Sequence, residues 1–448
     1  MGEPKGGAVM TRSSRTFSYL LLLVVVGWFL PLVATATDPA CITDSTENRD
    51  AAGAQHIILI KSAPCGVYGT AKSRFERVNG VETQVTVPYM KHEPAGNVKA
   101  IAVLFAGGDG NANIVPDPCG SATPPCDPIP VQSTSNNFLV RSAQLFAERG
   151  FRALTIDRPS PAPDPSEFLF YDNYRLSMQH ALDIAAVVRK ENPNRRPVFL
   201  VGTSRGAESA VAQNLMVIGS MLSSPVTLAE TGSIPSPCDG NHRAYVDDCF
   251  YTELQPAFVD VPVQILGHLQ DGCFVSPPAQ AMIVRNNFVN AGVQTFFRQV
   301  SGGFAKDASD PCEAQSFHGF LGIENATVDR IARRMTRILQ AITTQFGIDT
   351  SPVSDNATRA LDTTVQTSRN VNLSNLASDA DGDPLTFTLP HPKSARGASL
   401  SLAGSVVTYD TAGAGFTGPT VNDAFVYVTS DGKGRKSFGI VKVTVTTP

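Results

Sequence analysis

Between about residue 55 and residue 345, short apolar runs alternate with longer stretches of helical period, and few folds accept such a chain. The runs that read as strands are His56–Lys61, Thr83–Val87, Ala100–Phe105, Arg152–Ile156, Val198–Val201, Val226–Glu230, Val263–Leu266 and Thr295–Val300. Helical stretches fall at Phe138–Arg149, Tyr174–Glu191, Ser204–Ser220, Pro277–Ala291 and Ala326–Phe346. Early strands without helices, followed by repeated strand–helix units, predict an α/β fold with a mostly parallel sheet covered by helices on both faces. Solid apolar runs such as Val198-Phe199-Leu200-Val201 suit strands buried on both sides. The pattern then changes. Residues 349–358 read as a polar linker, and 359–448 hold only short alternating runs (Leu385–Leu389, Ser405–Tyr409, Ala424–Val428, Gly439–Thr446), which predicts a small β-sandwich after a larger unit at 37–348.

Composition sets the outer bounds. A hydrophobic fraction of 42% builds a core and excludes wholesale disorder. A formal charge of -4 with no basic block argues against nucleic acid as a partner, because phosphate recognition needs clustered cations. At the N-terminus, Lys5, Arg12 and Arg15 precede an apolar run from Tyr19 to Val33, and Ala34-Thr35-Ala36 follows. This is the pattern of a signal peptide over residues 1–36, and the run is shorter than the roughly 20 residues a membrane span needs. The expectation is a secreted protein, extracellular or periplasmic, with no stable membrane anchor after cleavage. The single tryptophan, Trp28, lies in that leader. Export permits disulfides, and there are eight cysteines: Cys41, Cys65, Cys119, Cys126, Cys238, Cys249, Cys273 and Cys312. Eight cysteines allow 105 pairings. Short loops close most easily, so sequential pairing is expected: 41–65, 119–126, 238–249 and 273–312. A metal reading is poor, since no C-x-x-C and no histidine pair at ligand spacing occurs.

The chemistry starts at Gly202-Thr203-Ser204-Arg205-Gly206, which follows the run Val198–Val201 and opens a helical pattern. A G-x-S-x-G segment between strand and helix forces its serine into a sharp turn at the sheet edge, and the glycines let backbones approach there. The segment resembles the nucleophile elbow of the α/β-hydrolase superfamily of esterase- and lipase-like serine hydrolases. That resemblance implies an acid after a later strand, supplied by Asp271 at the end of Val261–Asp271, with Glu230 as rival. It also implies a histidine after the last strand, supplied by His318 in Ser316–Phe320. His268 is the rival base, but it lies only three residues before Asp271. The order Ser204, Asp271, His318 is the family's. The oxyanion hole is implied at the backbone N–H groups of Arg205 and Gly108, the latter in the loop Ala106-Gly107-Gly108-Asp109-Gly110. Ala106 stands where the family commonly has histidine, so that assignment could slip by one residue. A bond between Cys273 and Cys312 would tie the acid loop to the histidine loop. Such a site needs no cofactor for catalysis.

Residues 359–448 resemble a bacterial cadherin-like or Ig-like repeat, on Leu376–Leu385, Val407-Thr408-Tyr409-Asp410, Gly415-Phe416-Thr417-Gly418, Asp423–Val428 and Ser430-Asp431-Gly432. Asp379, Asp381 and Asp383 alternate with small residues and offer oxygen ligands to Ca²⁺; an Asp/Gly-rich turn is the plain alternative. The absence of tryptophan outside the leader disfavours a sugar-stacking surface. The expected function is cleavage of carboxylic esters, small or polymeric, through an acyl-enzyme on Ser204. A peptidase or amidase on the same fold and a catalytically silent surface-binding protein are the alternatives.

Overall fold

The computed structural model describes residues 47–49, 55–57, 66–116, 131–133, 135–161, 174–227 and 259–447. Its centre is an eight-stranded sheet: β1 Val67–Val78, β2 Val81–His92, β3 Ala100–Phe105, β4 Phe151–Ile156, β5 Val198–Thr203, β6 Ser220–Ser223, β7 Val263–His268 and β8 Thr295–Val300. The strand order is β1-β2-β4-β3-β5-β6-β7-β8. β1, β2 and β4 pair antiparallel, and every pair from β4–β3 to β7–β8 is parallel. Helices α1 Phe138–Arg141, α2 Ala143–Glu148, α3 Met178–Glu191, α4 Gly206–Ala212, α5 Pro278–Asn290 and α6 Glu324–Phe346 accompany the parallel strands. All six residues of β3, β5 and β7 are buried, as helices on both faces require.

Three elements differ from the sequence expectation. The strand expected at Val226–Glu230 lies earlier, at β6, and the helix expected to run to Ser220 stops at Ala212. Polar residues disguise β6. Ser220 Oγ donates to the Ala210 carbonyl at 2.6 Å and Ser223 Oγ to the Gly202 carbonyl at 3.2 Å, so both serines are buried without an unmet hydroxyl. β1 was hidden by its charges. Arg74 is buried against Asp183 (3.1 Å) and Glu76 (2.5 Å), beside a register shift between Lys72 and Phe75. The Asn79-Gly80 turn that joins β1 to β2 has both residues at positive φ, 49° and 82°, the two-residue hairpin geometry that asparagine and glycine favour. Of His56–Lys61, only His56 and Ile57 lie among the described residues, in a strand Gln55–Ile57 paired with Glu47–Arg49.

The C-terminal region forms a four-stranded sheet (Ala357–Asp362, Lys436–Thr446, Thr420–Ser430, Thr386–Thr388, in that order) facing a three-stranded one (Ser368–Asn372, Val406–Asp410, Ser399–Ala403). Tyr409 and Phe425 stack across the two at 6.3 Å. The segment 349–358 is not slack chain: Val353–Ser354 pairs with Ala377–Ser378, and Ala357 already pairs with Val441. This region is docked on α3. One apolar core runs from Met178, Leu182 and Ala185 into Phe425, Tyr427 and Val441. Polar contacts close its rim: Arg189 donates to the Ser354 and Phe438 carbonyls, both at 2.7 Å, and Lys436 pairs with Asp260 at 2.9 Å.

Candidate active site

β5 ends in a turn that places Ser204 at φ 52°, a left-handed conformation that costs a non-glycine residue roughly 1–2 kcal/mol. Neighbouring backbone holds it there. The Ser204 N–H donates to the Ser223 carbonyl at 2.9 Å, and its own carbonyl accepts the Ala207 N–H at 3.1 Å as α4 begins. The flanking glycines are required by space. A Cβ on Gly202 would overlap the Gly206 carbonyl, and one on Gly206 would lie 2.7 Å from the Ala106 carbonyl oxygen. Gly107, in the loop after β3, comes closest to the serine: a Cβ there would sit 2.7 Å from Ser204 Cβ.

The acid and the histidine come from beyond β7 and β8. Asp271 and His318 are 6% and 5% exposed, and His318 Nδ1 lies 3.0 Å from Asp271 Oδ2. Asp271 Oδ1 accepts the Cys273 N–H at 2.9 Å. Ser276, which the sequence did not single out, donates to Asp271 Oδ2 at 3.1 Å and stands 2.9 Å from His318 Nδ1. The imidazole N–H is thus shared between the carboxylate and the serine hydroxyl, which fixes the tautomer with Nε2 free of that proton. Cys273 and Cys312 form a disulfide with a Cα–Cα distance of 4.4 Å, joining the acid loop to the histidine loop. That bond also removes the one thiolate from the cluster Asp271–Cys273–His318, so its donor set does not suit a metal. The other six cysteines lie outside the described residues.

The rival base is engaged elsewhere. His268 is fully buried; its Nδ1 accepts the Gln270 N–H at 3.0 Å, so Nε2 carries the proton and donates to the Gly302 carbonyl at 2.9 Å. Both nitrogens are engaged, and burial lowers its pKa. Glu230 lies outside the described residues.

Three groups, Arg175 and Asp157 buried and Arg141 half-buried, brace the surrounding loops, and none has a local sequence signature. The Arg175 guanidinium donates to Ser209 Oγ at 2.8 Å and to the Ala106 and Gly108 carbonyls at 3.2 and 3.3 Å, tying α4 to the proposed oxyanion loop. With two of its carbonyls held by Arg175, and Gly108 at φ 58°, the path of that loop is fixed. Asp157, after β4, accepts the Ala112 and Ile114 N–H groups at 2.8 and 2.7 Å; burial raises its pKa and those amides oppose the rise. Arg141 on α1 reaches the Gly319 and Ala314 carbonyls at 2.5 and 3.2 Å and pairs with Glu324 at 3.0 Å, holding the histidine loop. In the C-terminal region, Asp381 and Asp383 converge with Asp349, while Asp379 Oδ1 accepts the Asp381 N–H at 2.8 Å and shapes their loop.

The described residues of 66–346 carry an α/β-hydrolase fold, with Ser204 between β5 and α4 and the His318–Asp271 pair beyond β7 and β8. Residues 349–446 match the family model described as bacterial Ig domain. Similar solved structures include the acylaminoacyl peptidase of Pyrococcus horikoshii (14% identity, TM-score 0.38), where the match covers 59% of this chain and 41% of the peptidase. This chain therefore spans less than half of that protein's length. Est1E from Butyrivibrio proteoclasticus matches at 11% identity and TM-score 0.34, covering 60% of this chain and 100% of Est1E. A hormone-sensitive lipase from a metagenome library matches at 17% identity and TM-score 0.36, over 59% of this chain and 87% of that one. No curated protein sequence matches the chain.

Proposed function

We propose that this chain is an exported serine hydrolase that cleaves carboxylic esters, with Ser204 as nucleophile, His318 as base and Asp271 as orienting acid. The observation that carries the reading is the buried pair His318 Nδ1–Asp271 Oδ2 at 3.0 Å, locked by Ser276 in a protein whose Ser204 stands at a positive φ. In this mechanism His318 Nε2 takes the Ser204 proton as Oγ attacks the ester carbonyl, and Asp271 stabilises the imidazolium. The N–H groups of Gly108 and Arg205 receive the oxyanion. His318 then protonates the departing alkoxide, and water releases the acid from Ser204. No step calls on a metal or an organic cofactor.

Export is supported by the leader pattern of residues 1–36 and by the Cys273–Cys312 bond, which an oxidising compartment preserves. Among the described residues no helix is long and apolar enough to cross a membrane. The test is a panel of p-nitrophenyl esters from acetyl to long acyl, beside peptide anilides, with fluorophosphonate labelling. Ser204→Ala should lose both ester turnover and labelling. Anilide turnover exceeding ester turnover would replace the ester reading with a peptidase one, and an unlabelled wild type would leave a surface-binding protein.

A further inference from the structure

α6 carries Arg330, Arg333, Arg334 and Arg337, whose spacing puts all four within about 100° of arc on one helix face. The strands beneath add Arg298 from β8 and Gln264 from β7; in the register of that pair Gln264 stands beside Phe296, and Leu266 beside Arg298. These five arginines and the glutamine line a groove of about 390 Å³. A second groove, with Lys99 and Arg149 on its wall, adjoins it through Arg333 and Arg337. On a chain of formal charge -4 the fold has gathered cations that no unbroken basic run in the sequence announces. Asp329 is the one acid on the groove wall, and Arg149 (3.5 Å) and Arg333 already hold it. Arg298, Arg330, Arg334 and Arg337 pair with no carboxylate among the described residues. Arg334 lies over the Phe296 ring, 3.5 Å from its centroid, and its Nε is buried with no acceptor. Burial lowers its pKa, and Arg337 and Arg298 push it the same way. Like charges gathered so closely repel one another unless an anion lies among them.

Gln264 narrows what that anion carries. It is 3% exposed, and its Oε1 is buried on the groove wall without a hydrogen-bond donor. Guanidinium groups take carboxylates and phosphates alike. A buried acceptor needs a donor, which an inorganic polyphosphate lacks at neutral pH and a hydroxylated acid supplies. Size points the same way. At about 30 Å³ per water the groove holds about a dozen, so one small oxyanion would leave most of it open. Arg330 and Arg337 are separated by about 10 Å of helix, the reach of a short chain rather than of one anionic group. We propose that the groove binds an acidic saccharide chain, with its carboxylates on Arg298, Arg330, Arg334 and Arg337 and a ring hydroxyl on Gln264 Oε1. Recognition of this kind runs on charge and hydrogen bonds and needs no tryptophan platform, in keeping with a chain whose single tryptophan is Trp28. The site is separate from the triad, because Gln264 lies at the start of β7 and Asp271 follows that strand's far end.

The experiment titrates the full chain with an oligomer of galacturonic acid and follows the heat by calorimetry. A neutral galactose oligomer, sodium tripolyphosphate and a single-stranded oligodeoxynucleotide are the other arms. One saturable site is expected for the galacturonate oligomer, weakening at least tenfold between about 50 and about 300 mM NaCl, with no heat from the neutral oligomer. Tripolyphosphate and the oligonucleotide should bind at least tenfold more weakly. Arg298→Gln alone, and Arg334→Gln with Arg337→Gln, should each weaken the galacturonate oligomer at least tenfold while Tm stays within about 3 °C of wild type. Gln264→Leu should weaken the same oligomer threefold or more and leave tripolyphosphate binding unchanged, a difference that general damage to the fold would not produce. The proposal is overturned if the galacturonate oligomer binds no more tightly than a Kd of about 1 mM, or if either phosphate arm binds as tightly as it does. It is equally overturned if the arginine variants bind like wild type, or if Gln264→Leu leaves the galacturonate oligomer unaffected.

Discussion

Replacing Cys273 and Cys312 together by alanine removes the bond that joins the two loops of the proposed triad. The bond closes a loop with a sequence separation of 39. In the chain-entropy model a loop of that length restricts the unfolded state by about 13 cal/mol/K, so losing it costs about 4 kcal/mol at 25 °C. Counted over the unit Pro39–Pro448 at about 2.1 cal/mol/K per residue, the unfolding entropy is at most about 0.9 kcal/mol/K, which turns 4 kcal/mol into a Tm loss of about 5 °C or more. The second effect is catalytic. Cys273 follows Asp271 by two residues and donates its N–H to that carboxylate, and Cys312 precedes His318 by six. Release of the bond should loosen the acid against the histidine and lower kcat for a short-acyl ester by about tenfold, with KM little changed. Scanning calorimetry and steady-state kinetics on the paired variant measure both. A Tm within 1 °C of wild type and a kcat within twofold would refute the reasoning, because the loops would then be held by Arg141 and Ser276 alone.

Gly107→Ala places a Cβ 2.7 Å from Ser204 Cβ and should cut kcat/KM for esters at least a hundredfold while circular dichroism stays unchanged; near-normal turnover would show that the loop yields. Ser276→Ala removes the hydroxyl shared by Asp271 and His318, and a tenfold lower kcat is expected, about 1.4 kcal/mol, with restoration by Ser276→Thr. His391, bonded to Gln213 Oε1 at 3.0 Å where the two regions meet, is lowered to about 4 by burial. The unfolded state therefore takes up the proton first, so this group's contribution is full above pH 6.5 and is lost as pH falls toward 4. His391→Gln should flatten the acid side of the stability profile by about 2 kcal/mol, allowing for partial exposure of the ring, as read by urea unfolding at pH 7 and pH 4.5; parallel profiles for the two proteins would count against it.

The legible parts of this fold were those written in local pattern. β3 and most of β5 and β7 are apolar runs, Ser204 and Asp271 fall just past the ends of β5 and β7, and His318 falls in the stretch between β8 and α6. The parts that escaped depend on partners distant in sequence. β6 reads as polar because Ser220 and Ser223 spend their hydroxyls on carbonyls at Ala210 and Gly202. β1 reads as charged because Arg74 meets Asp183, more than a hundred residues away. Arg175 was invisible for the same reason, since nothing near it in sequence shows that its hydrogen bonds end on loop carbonyls. Ser276 lies five residues after Asp271, and what the sequence hides is its second partner, His318, which the fold brings to it from 42 residues on. Gly107 was visible, but the loop reading favoured Gly108, and only the packing against Ser204 distinguishes their duties.

α3 held the clue to the docked C-terminal region. Met178, Ala181, Leu182, Ile184, Ala185, Val187 and Val188 spread around more of the helix than one sheet can cover, and all are buried. A helix apolar on so many sides needs two apolar neighbours. The sheet is one, and Phe425, Tyr427 and Val441 form the other, with Met178 Sδ accepting the Val426 N–H at 3.1 Å. The consequence reaches the site, because Arg175, three residues before Met178, is the group that holds the Ala106 and Gly108 carbonyls. A module on a free tether could be removed without disturbing that arginine. Here its removal would bare the apolar face of the helix that Arg175 precedes. The composition break at residues 349–358 therefore marks a change of architecture but not an energetic boundary, and the Ig-like region belongs to the scaffold behind Arg175.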